Sequence, residues 1–369
     1  MKRLRESRCG LDVITIERGS LAELAITMLP LPGESAGDLM RRLAGTLGSR
    51  GARVLKLDVF GARSACAAGL EALRIALGED APPVTWVEGA PCSEGAIAGL
   101  QAHAVSGAPV ENVRLGGRTV GRAFEDRDAR YVFFGDLCSA ERDVSRARQT
   151  RLSLEMLEAA LQAADMSFYD VVRTWFYNDD ILDWYDAFNQ VRNDFFAERR
   201  VFERFMPAST GIGAMNAAGS ALVAGALAVK PKREGVVCGP VASLLQGSPH
   251  DYGSSFSRAV RIAAPDCRRV LISGTASIEP EGRTAHVGDV DAQVALTMRI
   301  VGAILESNRM SLADVTRAVA YFKRASDAAA MGRWAASTAA PGLPLVVTEA
   351  VVCRDELLFE IELDAVAVS

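Results

Sequence analysis

The chain of 369 residues is 49% hydrophobic with a net charge of −5, so it can bury large cores and lacks the basic footprint of a nucleic-acid binder. No run of about 18 apolar residues is present to span a membrane, and the basic start, residues 1–8, leads into a mixed strand instead of an apolar leader; a cytoplasmic protein is expected. Seven scattered cysteines without C-x-x-C spacing point to reduced thiols, and the dispersed His103, His250 and His286 point to no metal centre.

In chain order, 21–29 reads as a strand, 36–47 as an amphipathic helix, 54–60 as a strand and 94–105 as a closing segment. A linker rich in glycine, proline and charge is expected over 108–126. A strand comes next at 131–137, then a helix at 152–164 with Leu154, Leu157 and Leu161 on one face. Ser167 and Asp170 have the spacing of a capping box, ahead of a strand at 171–177, a helix at 181–196 and a closing strand at 221–229. After a second linker over 230–253 the series returns: strand 269–278, a turn at Pro280, Glu281 and Gly282, helix 292–307 with Leu296, Ile300 and Ile304, and the Ser311/Asp314 capping box. Strand 315–322, helix 325–337 and closing strand 357–368 complete it.

The return is a true repeat. Residues 149–177 and 293–321 align without a gap at an offset of 144, pairing Gln149 with Gln293, Leu161 with Leu305, Asp170 with Asp314, Arg173 with Arg317 and Tyr177 with Tyr321. Outside that window, 133–135 answers 272–274 and 226–229 answers 365–368 at an offset of 139, so one loop differs in length. Ala104 and Val105 echo Ala228 and Val229, which extends the pattern to a degenerate first copy. The expected architecture is α+β: three tandem units, 1–108, 115–230 and 250–369, each a mixed sheet with two helices, forming an intrachain pseudo-trimer.

Ile272-Ser273-Gly274, the helix begun by Gln293, the strand with Asp314, Val315, Arg317 and Tyr321, and the end with Glu360, Ile361, Glu362 and Ala365 to Ala367 resemble the YjgF/RidA superfamily. The resemblance implies small domains that trimerise with ligand sites between neighbours. Within it, Ser255 to Ala259, Ile272 to Ser277, His286 with Gly288, Asp289 and Val290, and Cys353-Arg354 with Glu360 and Glu362 beyond them resemble the chorismatases, single-chain relatives that remove pyruvate from chorismate. Two departures stand out. The arginine of imine deaminases would fall at Val347, with Glu349 in place of their cysteine, and the segment before Phe256 is short, running only from Gln246 to Gly253.

Glu360 and Glu362 alternate with Phe359 and Ile361, which puts both carboxylates on one sheet face, where the middle copy has Ala221 and Val223. A solvated strand rim is the plain alternative to a site. The resemblance makes Glu360 the acid that protonates the enolpyruvyl carbon, with Glu362 beside it. Arg258 is the candidate carboxylate clamp, with Tyr252 and Ser257 as companions. Gly274 and Thr275 belong to a glycine turn that is either a plain tight turn or one whose amides hold an oxyanion, Cys353 is either pocket-lining or packing, and Arg173 and Tyr177 of the middle copy, which resemble the family's Arg-Thr-Trp-x-Tyr element, are candidates to face the third unit. The aromatic run from Trp184 to Phe196 reads as core. The resulting expectation is a chorismatase-like enzyme for a small carboxylate metabolite, needing no cofactor, nucleic acid or membrane, as a monomer or low-order homo-oligomer. A RidA-like imine or enamine deaminase and a non-catalytic metabolite binder are the alternatives.

Overall fold

The computed structural model describes residues 1–78, 81–92, 95–249, 253–340 and 342–368. Three sheets succeed one another along the chain. The first contains β1 (Lys2–Arg8), β2 (Leu11–Arg18), β3 (Leu21–Met28), β4 (Arg53–Gly61), β5 (Val84–Val87) and β6 (Ile97–Ser106), ordered β1-β2-β3-β6-β4-β5, with α1 (Ala36–Gly48) and α2 (Arg63–Leu77). The second contains β7 (Glu111–Leu115), β8 (Arg118–Glu125), β9 (Ala129–Leu137), β10 (Val171–Asn178), β11 (Ala208–Gly213) and β12 (Leu222–Pro231), with α3 (Arg146–Ala163) and α4 (Ile181–Glu198). The third contains β13 (Val237–Val241), β14 (Ala259–Ala264), β15 (Cys267–Ala276), β16 (Val315–Phe322), β17 (Leu345–Glu349) and β18 (Phe359–Val368), with α5 (Val290–Ser307) and α6 (Ala329–Thr338). All three sheets share one strand order and one parallel pair, β4 with β5, β10 with β11 and β16 with β17, so the α+β triplication is real and includes the first unit.

Each sheet turns one face to its helices and the other inward. On β18, Phe359, Ile361, Leu363 and Ala365 join the core under α5 and α6, and the period of two sends Glu360, Glu362 and Asp364 to the opposite face. The inward faces meet in a shared core that takes Leu55 and Phe60 from the first unit, Trp175 and Tyr177 from the second, and Val319 and Tyr321 from the third. Phe60 lies edge-on to both Tyr177 and Tyr321 with centroids 6.1 Å apart, the same strand position meeting itself three times. Away from that triad, Arg18 joins Asp126, Asp128 and Asp266, one hairpin turn from each unit, at 2.5–2.7 Å.

Edge strands carry unpaired backbone groups, and here each inner edge is passed to the next unit. The Glu88 N–H donates to Met215 O, Gly213 and Val351 exchange N–H donors at 2.7 and 3.0 Å, and the Glu349 N–H donates to Ala90 O. The third of these closes the ring from the last unit back to the first.

Several expectations are corrected. Both supposed linkers contain strands, 108–126 holding β7 and β8, and 230–253 holding β13, so the second and third sheets begin before the expected boundaries of 115 and 250. Glycine and charge there mark tight hairpins. The two Ser/Asp capping boxes exist as read, with each serine accepting from the chain and each aspartate accepting from the serine N–H, but they cap single 3-10 turns that launch β10 and β16. The last helix is shorter than 325–337, since Ala325–Asp327 is a separate 3-10 turn before α6. No described helix is long and apolar enough to cross a membrane.

Candidate functional site

The junction of the second and third units forms a cleft floored by β18, β15 and β11. Backbone pairing between Gly213 and Val351 brings the loop with Cys353 and Arg354 against the second unit, and the Ser257 N–H donates 2.9 Å to Pro207 O, which draws the segment before β14 to the same edge. From above, α4 closes over it, with Asn193 Nδ2 donating 3.0 Å to Gly253 O. The cleft is narrow at its inner end, about 50 Å³ around Glu360, and opens outward into a wider space of about 510 Å³ beside Tyr185, Cys353 and Arg354.

Glu360 is 5% exposed, and among the described residues its carboxyl has neither a hydrogen bond nor an ion-pair partner. Burial, reinforced by nearby Glu362, pushes it up to about 8 against the pull of Arg173 and Arg258. The group therefore stays protonated at neutral pH. A Cβ at Gly274 would stand 2.0 Å from Glu360 Oε1, so the absent side chain there is what makes room for the carboxyl.

Three guanidiniums surround this acid. Arg258 is 4% exposed, donates through Nε to Gly247 O at 3.2 Å and lies 5.7 Å from the Phe256 ring. Arg192 is 2% exposed, stacks 5.1 Å from Phe188, donates to Asn189 Oδ1 at 2.7 Å, leaves Nε without a partner and meets no carboxylate among the described residues. Burial pulls its pKa down, opposed by Tyr185 and Cys353. Arg354 donates to Gly282 O at 2.6 Å. Burial, then Glu360, pushes the Cys353 thiol up to about 12, which keeps it a neutral wall and no thiolate nucleophile. Positive charge around one neutral acid suits an anionic ligand carrying carboxylates.

Residues 137–224 match the Endoribonuclease L-PSP family model. No curated protein matches the chain. A crystal structure of chorismatase is similar at 21% identity over 85% of this chain and 93% of that one, with a TM-score of 0.63. The YjgF gene product of E. coli matches at 19% identity over 35% of this chain and 98% of its own (TM-score 0.29), and yeast Mmf1 at 18% over 35% and 98% (TM-score 0.29). The fold is that of the chorismatase structure.

Within this chorismatase-like frame the predicted residues divide. Glu360, Arg258, Gly274 and Cys353 line the cleft. Glu362 and Arg173 do not; they lie behind its floor, where Arg173 Nη2 meets Glu362 Oε2 at 2.5 Å, Trp175 Nε1 donates to Oε1 at 3.1 Å, and Thr210 and Arg317 complete the carboxylate's partners. Burial alone would raise Glu362, but Arg317, Arg173 and Thr210 hold it down at about 2. Tyr177 is part of the central aromatic triad. The Ser257 hydroxyl donates to Met206 O and the Thr275 hydroxyl donates to Ser273 O at 2.8 Å, so both serve the protein itself. Ser273 and Gly274 form a bulge in β15, not a free turn: their amides donate to Arg258 O and Thr210 Oγ1 at 3.0 and 3.1 Å, which leaves neither for an oxyanion. Tyr252, like His250, lies outside the described residues.

Sequence reasoning missed Arg192 and Tyr185 on α4, and Ser209 on β11. Trp184, Phe188, Phe195 and Phe196 are core as expected, yet Arg192 sits on that same apolar stripe. A charged residue at a core position of an amphipathic helix was the available signal. Among the described residues no group of His, Cys, Asp and Glu is placed to hold a metal ion.

Proposed function

We propose that the chain is a chorismatase-like enzyme that releases pyruvate from chorismate or a related cyclic enol-ether carboxylate. One observation carries the reading: a buried, unpartnered carboxyl held protonated at neutral pH faces a cleft lined by Arg192, Arg258 and Arg354. Glu360 gives its proton to the enolpyruvyl methylene, and the positive character that develops at the ether carbon is the step that needs a positioned acid. Water adds to that carbon and returns a proton to the Glu360 carboxylate. The hemiketal then breaks its bond to the ring oxygen, which leaves pyruvate and a ring hydroxyl. If instead the neighbouring ring hydroxyl attacks the ring carbon that bears the ether, the bond from that carbon to the ether oxygen breaks, pyruvate leaves, and the epoxide formed opens by a proton shift to a hydroxybenzoate. Arg192 and Arg258 pair with substrate carboxylates through their planar forks, and Cys353 shapes the wall without reacting. The deaminase alternative lacks a carrier, because Val347 occupies the expected arginine position and lies on β17, outside this cleft.

The test is pyruvate release from chorismate, coupled to lactate dehydrogenase, with Glu360→Gln as control. Pyruvate above the control between pH 6 and about 8 supports the reading; none above it, together with a chorismate-dependent rise in melting temperature, leaves a binder instead. Gly274→Ala is expected to fold normally and lose about 100-fold in turnover, because its Cβ displaces the acid by about 1 Å. Unchanged kcat in that variant would show that the acid does not depend on the space at Gly274.

A further inference from the structure

We infer that Glu362, which touches no ligand, is a positioning residue that sets the protonation state of Glu360 by holding a fixed negative charge behind the cleft floor, and that the second unit supplies most of the clamp that keeps it charged. The inference rests on the proposed role of Glu360 as acid.

The geometry is specific. Glu360 and Glu362 lie two residues apart on one face of β18, a spacing of about 7 Å. Both Glu362 oxygens are occupied by donors: Arg173, Thr210 and Trp175 from the second unit and Arg317 from the third. Thr210 also accepts the Gly274 N–H, so one hydroxyl links the clamp to the glycine under the acid. Lys56, Arg173 and Arg317, one cation from each unit, lie 4.3, 5.1 and 5.6 Å from the Trp175 ring.

This much buried charge is a poor way to stabilise a core, since packed apolar residues do as well. On the strand that answers β18, the other two units carry no such pair. In the strand register the positions answering Glu360 and Glu362 are Val223 and Gly225 in the second unit and Gly99 and Gln101 in the first, two residues from the positions the sequence offset pointed to, and neither unit has an acid at either place. Among the described residues the charged and titratable neighbours of Glu360 are Glu362 on its own strand, Tyr321 on β16, Arg173 on β10, Arg258 before β14, Cys353 and Arg354 in the loop before β18, and Tyr185 and Arg192 on α4. Among these, Glu362 is the fixed negative charge; the cations oppose it, and the phenols and thiol are held neutral by burial.

Two unit charges about 7 Å apart in a medium of effective dielectric constant about 20 shift each other's protonation by roughly 1.5 pH units. The experiment is 13C NMR titration of the Glu360 carboxyl, assigned by its loss in Glu360→Gln and independent of turnover. In Glu362→Gln the Glu360 midpoint is expected to fall by about 1.5 units from its wild-type value of about 8, and the alkaline limb of pyruvate release to move with it. Glu362→Asp, which keeps the charge, is expected to stay within about half a unit of wild type. Should Glu362→Gln fail to fold, the double variant Arg317→Gln/Glu362→Gln removes the charge together with a partner and is expected to show a smaller fall in the same direction, because the lost cation lies farther from Glu360 and offsets only part of the lost anion. An unchanged Glu360 midpoint in a folded Glu362→Gln or double variant overturns the inference. A shifted midpoint without pyruvate release in the wild type leaves the electrostatic role standing and sinks the proposed reaction.

Discussion

Glu360→Gln is expected to lower turnover by about 10²–10⁴-fold, the usual contribution of a general acid, while making the protein more stable in alkaline buffer. The sign comes from linkage. The native carboxyl titrates near 8 and the unfolded one near its ordinary value of 4.5, so between those limits folding must take up a proton. The stabilising neutral form is fully available below the unfolded value, and the advantage is lost as pH rises through the folded one. Glutamine removes the penalty, so wild type and variant should melt together at about pH 5 and diverge by a few kcal/mol at about pH 9. Wild-type turnover should decline above about 8 as the proton leaves. A melting difference that stays flat across that range would mean that Glu360 titrates as an ordinary exposed carboxylate, and its role as the cleft acid would fall with it.

The largest loss of stability is expected from Arg317→Met. Arg317 binds Glu362, reaches Asp364 Oδ2 at 3.2 Å and Gln101 Oε1 at 2.7 Å, and is 2% exposed, so its removal leaves buried carboxylates short of a cation at the centre of the pseudo-trimer. Breaking one partner of such a pair costs about 3–5 kcal/mol, read as a lowered denaturation midpoint in urea. The acid side should change as well. Glu362 is held down at about 2, so its contribution is present above the unfolded value of 4.5 and lost as pH falls toward the folded one; without Arg317 that loss begins at higher pH. A variant with the wild-type midpoint and the wild-type acid transition would show that the cluster is energetically idle.

The sequence by itself determined the repeat and the triplicated architecture that the repeat implies. The match of 149–177 to 293–321 rests on local features, Ser/Asp caps, helical three-and-four spacing and alternating strands, which are set by residues close in the chain and so survive without tertiary information. Alternation along β18 also placed Glu360 and Glu362 on one face, away from the helices. What alternation cannot decide is which neighbour covers that face, because a side chain's surroundings come from residues far along the chain. Glu360 and Glu362, alike in sequence, separate only when β11 and β10 of the second unit arrive: Thr210, Arg173 and Trp175 hydrogen-bond one carboxylate and not the other, so one is held near 2 and its neighbour near 8. Arg192 turned from a core-stripe residue into a cleft cation for the same reason, and Tyr177 from a ligand candidate into packing against Phe60 in the central triad with Tyr321. Periodicity reports the face a residue occupies, whereas charge state and accessibility depend on contacts between units, and here only the closed ring of three sheets supplies those.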